Sequence, residues 1–120
     1  INLESIDNLV SQGKLPIPEI VKLDVQGHEL AILKGATSIL GKTDVFIIES
    51  GLRRYFGDAH PLAYEIWDFM RGAGYDLFDI CGTYRRPVDH ALEYFDMVFL
   101  RNGSSIEKPG PLSGKHEFDW

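Results

Sequence analysis

The sequence has little of what would tie it to an oxidising compartment, a membrane or a polyanion. Its 120 residues include one cysteine, Cys81, so no disulfide closes within the chain and nothing asks for an oxidising environment. No apolar run approaches the ~18 residues of a membrane span, and no signal peptide is visible. No membrane partner and a cytoplasmic location are therefore the expectations. Basic charge is scarce too: 12 Lys and Arg stand against 18 Asp and Glu, a formal net charge of −6. Nucleic-acid binders carry a basic stripe that neutralises phosphates, whereas Arg53, Arg54, Arg85 and Arg86 form two isolated pairs. No nucleic-acid partner is expected, and a neutral or small substrate fits better. Neither a Gly-x-Gly-x-x-Gly, a Walker loop, a nucleophile elbow nor a Ser-His-Asp arrangement occurs, so no nucleotide phosphate site is encoded in this stretch.

What remains is an ordinary globular composition, 44% hydrophobic, 12% aromatic and 25% charged. At this length a single domain buries roughly two-thirds of its unfolded surface, enough for a real core. The chain opens at Ile1 and structured-looking sequence begins at once, which reads as a piece of something longer. Ser5 can cap a short helix through Val10 that Gly13 ends. Ile20 to Val25 reads as a β-branched, nearly continuous apolar strand. After Gly27 a helix begins near His28 or Glu29, with Leu30, Leu33, Ala36, Ile39 and Leu40 on one stripe and Gly41 as its stop. Asp44 to Glu49 is the next strand, whose four consecutive apolar residues predict burial on both faces. Pro61 opens a second long helix with Leu62, Ile66, Phe69 and Met70 inward. Tyr75 to Cys81 and Phe95 to Leu100 are the last strands, separated by a loop from Gly82 to Tyr94. From residue 103 a Gly-, Pro- and Ser-rich tail follows, in which Phe118 and Trp120 are placed to dock on the body. The alternation predicts an α/β fold, a mostly parallel sheet with a final antiparallel strand.

In open α/β sheets ligands bind beyond the carboxyl ends of the strands. Asp24 ends the first strand and Glu49 the second, so neighbouring strands would bring both carboxylates to one crevice with the Gln26-Gly27-His28-Glu29 turn. Lys22 shares a face with Asp24 by alternation. A structural reading is equally available: Lys22 pairs with Asp24 or Glu49, and Glu29 complements the helix dipole. Asp24, His28, Glu29 and Glu49 have no spacing that resembles a metal site, so no metal is expected. His60, His90 and His116 fall in loops or the tail, and Cys81 reads as a core thiol.

The run from Val21 to Ala36, with Lys22-Leu23-Asp24-Val25-Gln26-Gly27, Glu29-Leu30 and Leu33-Lys34-Gly35-Ala36, resembles the FkbM-type methyltransferases. Ser5-Ile6-Asp7, Val45 to Glu49, Gly74 to Phe78 and Phe95 to Phe99 extend the likeness to Arg101. The resemblance implies a class I, Rossmann-like fold that uses S-adenosylmethionine to methylate hydroxyls of a sugar-like or small-molecule acceptor. Residues 1–102 would then be the C-terminal, substrate-side half of the domain, from its fourth strand onward. The glycine-rich cofactor loop and the ribose-holding acid would belong to strands upstream.

On the resemblance, Asp24 matches the acid at the fourth-strand end, Glu29 the helix-opening Glu and Glu49 the acid after the fifth strand. These three are the candidate catalytic residues. An alcohol is a poor nucleophile at neutral pH, and a carboxylate within reach can take its proton as the new bond forms. Asp24 is the expected base, with Glu49 or Glu29 holding the acceptor. Gln26 stands where many members have Glu, and His28 where a small residue is common. With Arg53, Arg54 and Tyr55 in one loop and Arg85, Arg86 and His90 in another, they border the expected crevice. Gln26, His28, Arg53, Arg54, Arg85 and His90 are the candidate acceptor-binding residues.

The alternatives are a non-catalytic α/β fragment or interaction module without cofactor binding, and a receiver-like switch. The switch would use Asp24 and Lys108-Pro109 but lacks the acidic pair. Cut from a larger sheet, Ile20 to Val25 would be an exposed apolar edge that favours self-association. The isolated 120 residues are expected to be inactive and to bind no S-adenosylmethionine.

Overall fold

A computed structural model describes residues 2–54, 57, 58 and 60–106. Tyr55, Lys108-Pro109, His116, Phe118, Trp120 and most of the expected tail lie outside the described residues. The elements are α1 (Ile6–Ser11), β1 (Ile20–Leu23), α2 (Glu29–Lys34), β2 (Val45–Gly51), α3 (Ala63–Gly72), β3 (Tyr75–Arg85) and β4 (Leu92–Arg101). The four strands lie in the order β1-β2-β4-β3. The fold is α/β, and the expected antiparallel pairing of the last two strands is present. The sheet is mixed in the expected sense: β1, β2 and β3 run in one direction, and the final strand, β4, inserts between β2 and β3 and runs against both, so the β1–β2 pair is parallel and the other two pairs antiparallel. No helix among the described residues is long and apolar enough to cross a membrane.

Alternation sorts the sheet into two faces. Leu23, Phe46, Ile48, Phe95, Met97 and Phe99 share one core with Leu33 of α2 and Ile66 and Met70 of α3, while Ile6 and Val10 of α1 pack against its rim. Fully burying one such side chain is worth roughly 1.5–3 kcal/mol, so this face holds the layers together. The other face carries Lys22, Ile47, Glu49, Asp96 and Tyr94, all half-buried or exposed. β2 is therefore not sealed on both faces as its apolar run predicts: Phe46 and Ile48 are fully buried, and Ile47 is not.

The second helix is shorter than its apolar stripe. It ends at Lys34 instead of continuing to Gly41. The Asp7 carboxylate accepts hydrogen bonds from Thr37 N (3.0 Å), Thr37 Oγ1 (2.7 Å) and Ser38 N (2.6 Å). The Asp7 N–H donates to the Gly35 carbonyl at 2.9 Å. These bonds occupy groups the helix would need to go on. Gly35 permits the approach, since a Cβ there would come 3.3 Å from Ser5 Cβ. Ala36 and Ile39 still reach the core from the turns that follow. Pro61 lies just outside α3, whose N-cap is Leu62, with the Leu62 N–H donating to Glu65 Oε2 at 2.7 Å.

The first strand stops at Leu23, not Val25, because the Val25 N–H turns away from the sheet to a side chain (below). The loop expected over residues 82–94 is largely a hairpin: β3 runs on to Arg85 and β4 begins at Leu92. Beyond a register shift between Leu77 and Asp79, two more in β3, between Cys81 and Tyr84 and between Tyr84 and Arg85, carry the pairing through residues whose polarity reads as loop. Cys81, expected in the core, is exposed, since no layer among the described residues covers this outer part of β3.

Candidate active site

β1 and β2 run in register, Lys22 beside Ile47 and Leu23 beside Ile48, so their carboxyl ends open together. Asp24 leaves β1 at that point. The chain then bends sharply through Gln26 (φ 52°) and Gly27 (φ 105°). Left-handed φ is uncommon for a residue with a side chain and persists only where its surroundings enforce it. Glu29 enforces it here. Its Oε1 accepts from Val25 N at 3.1 Å and Gly27 N at 3.2 Å, and its Oε2 from Gly27 N at 3.0 Å. Glu29 is 2% exposed. The carboxylate, in the first turn of α2, ties the strand end to the helix start.

Lys22 and three carboxylates meet on the half-open face. Lys22 Nζ donates to Asp24 Oδ2 at 3.3 Å and lies 3.8 Å from Asp96 Oδ2. Asp96 of β4 is the register partner of Glu49. Burial first, then the charge of Asp24 and a hydrogen bond with it, push the Glu49 carboxyl above its ordinary range, with Asp96 and Glu29 adding to the effect. The hydrogen bond to Asp24, followed by the charges of Asp96 and Glu49, raises Lys22. Chemically this is a cluster of carboxylates beside one cation, in which Glu49 is pushed toward its protonated form.

A stability test follows from that direction. A carboxyl whose pKa is higher folded than unfolded destabilises the fold as it ionises. Its cost is absent below the ordinary value of 4.5 and appears as pH rises through the raised one. Glu49→Gln is thus expected to unfold at a higher temperature than wild type at pH 7, with the two melting curves converging near pH 4. A Gln variant less stable at neutral pH would mean that Glu49 is held there as a favourable anion.

The other candidates sit elsewhere. Gln26 is exposed at the tip of the bend. His28 is the N-cap residue of α2 and lines an apolar cavity of about 670 Å³ with Leu3, Ile6, Leu23 and Ile32, on the helix-covered side of β1. Arg54 braces its own loop, donating to both Glu65 oxygens at 3.0 Å and to the Asp58 and His60 carbonyls. Arg85 Nη1 donates to the His90 carbonyl at 3.0 Å, and Arg86 pairs with Asp89 at the hairpin tip. Arg53 is exposed beyond the end of β2, near enough for its charge to act on Asp89. The structure thus brings Asp24 and Glu49 together, encloses Glu29 behind them, and leaves Gln26, His28 and the arginines around the periphery. No group of three or more His, Cys, Asp or Glu among the described residues is arranged to hold a metal ion.

Asp96 is the residue that sequence reasoning missed. A lone acid in the apolar run Phe95 to Leu100 marks the less buried face of β4, but its neighbours become visible only once β4 lies beside β2. Gly82 goes with it. A Cβ at Gly82 (φ +56°) would come 2.8 Å from Asp96 Oδ2, so the bare backbone makes room for the carboxylate.

Comparison with known proteins places the sequence in a family. The model of the methyltransferase FkbM domain matches residues 1–77. A stretch of 43 residues is 49% identical to the hexuronic acid methyltransferase AglP of Haloferax volcanii, covering 36% of this chain and 18% of that protein. No solved structure matches.

Proposed function

This chain belongs to the FkbM methyltransferase family, and we propose that it forms the substrate-side half of an S-adenosylmethionine-dependent O-methyltransferase acting on a hydroxyl of a sugar-like acceptor. The observation that carries the reading is the placement of Asp24 and Glu49 at the ends of two neighbouring parallel strands, with Lys22 Nζ 3.3 Å from Asp24 Oδ2. That is the position where open α/β sheets bind ligands. The β1-α2-β2 crossover supports reading these strands as the fourth and fifth of a Rossmann-like sheet. The hexuronic acid named for the relative AglP supports a sugar acceptor.

When bound, S-adenosylmethionine offers an electrophilic methyl group. No residue of this chain is assigned to holding it, since the chain has no glycine-rich strand-to-helix loop for a ribose or phosphate. The residues present act on the acceptor. Asp24 accepts the hydroxyl proton as the oxygen attacks, Lys22 keeps the Asp24 carboxylate oriented, and Glu49 holds a neighbouring hydroxyl. Glu29 positions the bend that carries Asp24. Arg53 and the hairpin tip with Arg85 and His90, together with Gln26 and His28, select among acceptors from the rim.

β1 lies at the edge of the sheet among the described residues, with Ile20 60% exposed. In isolation that edge is a template for a second chain. The 120 residues alone are expected to self-associate in light scattering and to show no heat of S-adenosylmethionine binding in calorimetry. The full-length protein is expected to transfer a labelled methyl group to a glycoside hydroxyl. Stoichiometric micromolar cofactor binding by a monomer of the 120 residues would sink the half-domain reading. Transfer by the full-length protein only to amines would sink the hydroxyl assignment.

A further inference from the structure

The half-open face continues beyond the carboxylates. Tyr94 precedes Asp96 on that face of β4, about 7 Å along the strand. Tyr84 of β3 stands directly opposite Tyr94. The two rings stack with centroids 6.5 Å apart and planes 30° from parallel. A Cβ at Gly51, the β2 residue facing Tyr94, would lie 3.7 Å from Tyr94 Cδ1, so this ring extends over the end of the strand that carries Glu49.

A bulge produces this pairing. With Cys81 opposite Asp96, unbroken antiparallel register would set Thr83 opposite Tyr94 and turn Tyr84 to the other face. The register shift between Cys81 and Tyr84 replaces Thr83 by Tyr84. Bulges of this kind re-aim side chains beside active sites. The same irregularity contains Gly82, whose missing Cβ accommodates Asp96. One local distortion therefore both seats a carboxylate and turns an aromatic ring toward it. Tyr84 remains 51% exposed, so core packing does not account for its placement.

We propose that Tyr84 and Tyr94 form a platform for the pyranose ring of the acceptor, with Asp96 and Glu49 receiving hydroxyls at its rim. The proposal rests on the methyltransferase reading above and names its acceptor subsite. A pyranose has one face of C–H groups, apolar and slightly positive, which suits the negative π face of an aromatic ring. Its hydroxyls donate to carboxylates. A ring lying on the tyrosines reaches the carboxylates across the ~7 Å between Tyr94 and Asp96. The hydroxyl to be methylated then points along the face toward Asp24.

The test uses the full-length protein with methyl α-glucopyranoside and methyl α-glucopyranosiduronic acid as probes. Binding is read by saturation-transfer NMR without turnover, and methyl transfer is read separately. Tyr84→Ala is expected to weaken binding of the preferred pyranoside about tenfold, the combined scale of a lost aromatic contact and its buried area. The rise should appear in KM rather than kcat, with S-adenosylmethionine affinity unchanged. Tyr84→Phe and Tyr94→Phe should bind the sugar within about twofold of wild type, because the ring face is kept. Equal binding by wild type and Tyr84→Ala, or no binding of either pyranoside to wild type, overturns the platform. Methyl transfer to a pyranoside with unaltered KM in Tyr84→Ala overturns the platform and leaves the methyltransferase reading standing. Sugar binding that is lost in Tyr84→Ala, without any methyl transfer by wild type, supports the platform and defeats that reading.

Discussion

Asp24→Asn in the full-length enzyme is expected to lower kcat for methyl transfer about 100-fold or more, the scale of a lost general base. Asparagine keeps the shape and can still accept from Lys22, but it cannot take a proton from the acceptor. Stability should barely move. The Asp24 side chain is 47% exposed and the Lys22 side chain 51%, and such pairs contribute roughly 0–1 kcal/mol. A conserved melting temperature with a collapsed rate separates the base from the alternative in which Asp24 serves only as an ion-pair partner. In that alternative the Asn variant turns over normally, or unfolds. The pH–rate profile adds a second check: the limb that falls toward acid in wild type should be absent from whatever activity the variant retains.

The pairing of Asp24 with Glu49 was legible because it depends on consecutive residues. A short apolar strand, a helix and a second apolar strand make a crossover whose two strands lie side by side, and the polar residue ending each strand falls where the crossover leaves it. The position of β4 was not legible in that way. Its place between β2 and β3 is a choice between strands distant in sequence, and Asp96 acquires its meaning only from that choice. The hairpin was hidden for another reason. Gly82, Pro87, Asp89 and His90 carry loop signals, yet two register shifts in β3 let the ladder continue past Gly82 and confine the turn to its tip. The end of α2 was invisible locally as well. Its apolar stripe continues to Leu40, and the carboxylate that takes the Thr37 and Ser38 N–H groups belongs to Asp7, some 30 residues upstream.

Glu29 is the residue whose surroundings alter its part the most, from a candidate in the reaction to a positioning residue behind it. Both oxygens are occupied by the backbone of the bend and the side chain is 2% exposed. Glu29→Ala leaves the Val25 and Gly27 N–H groups without their acceptor. An unsatisfied buried donor costs about 1–3 kcal/mol, so a loss of about 2–4 kcal/mol in urea denaturation is expected. The left-handed Gln26 then loses its restraint, and Asp24, two residues earlier, moves with it. A misplacement near 1 Å is enough for a loss on the order of 100-fold in rate. Glu29→Gln keeps one oxygen to accept from Val25 N and Gly27 N, and should recover a substantial part of both stability and rate. The two roles also differ in pH dependence. A positioning residue lowers kcat at every pH and leaves the acid limb where Asp24 sets it, whereas a general base at Glu29 would lose that limb in Glu29→Gln while keeping full stability. Recovery by glutamine with an unmoved limb is therefore the expected pair of results, and it would leave Asp24 as the carboxylate that takes the proton.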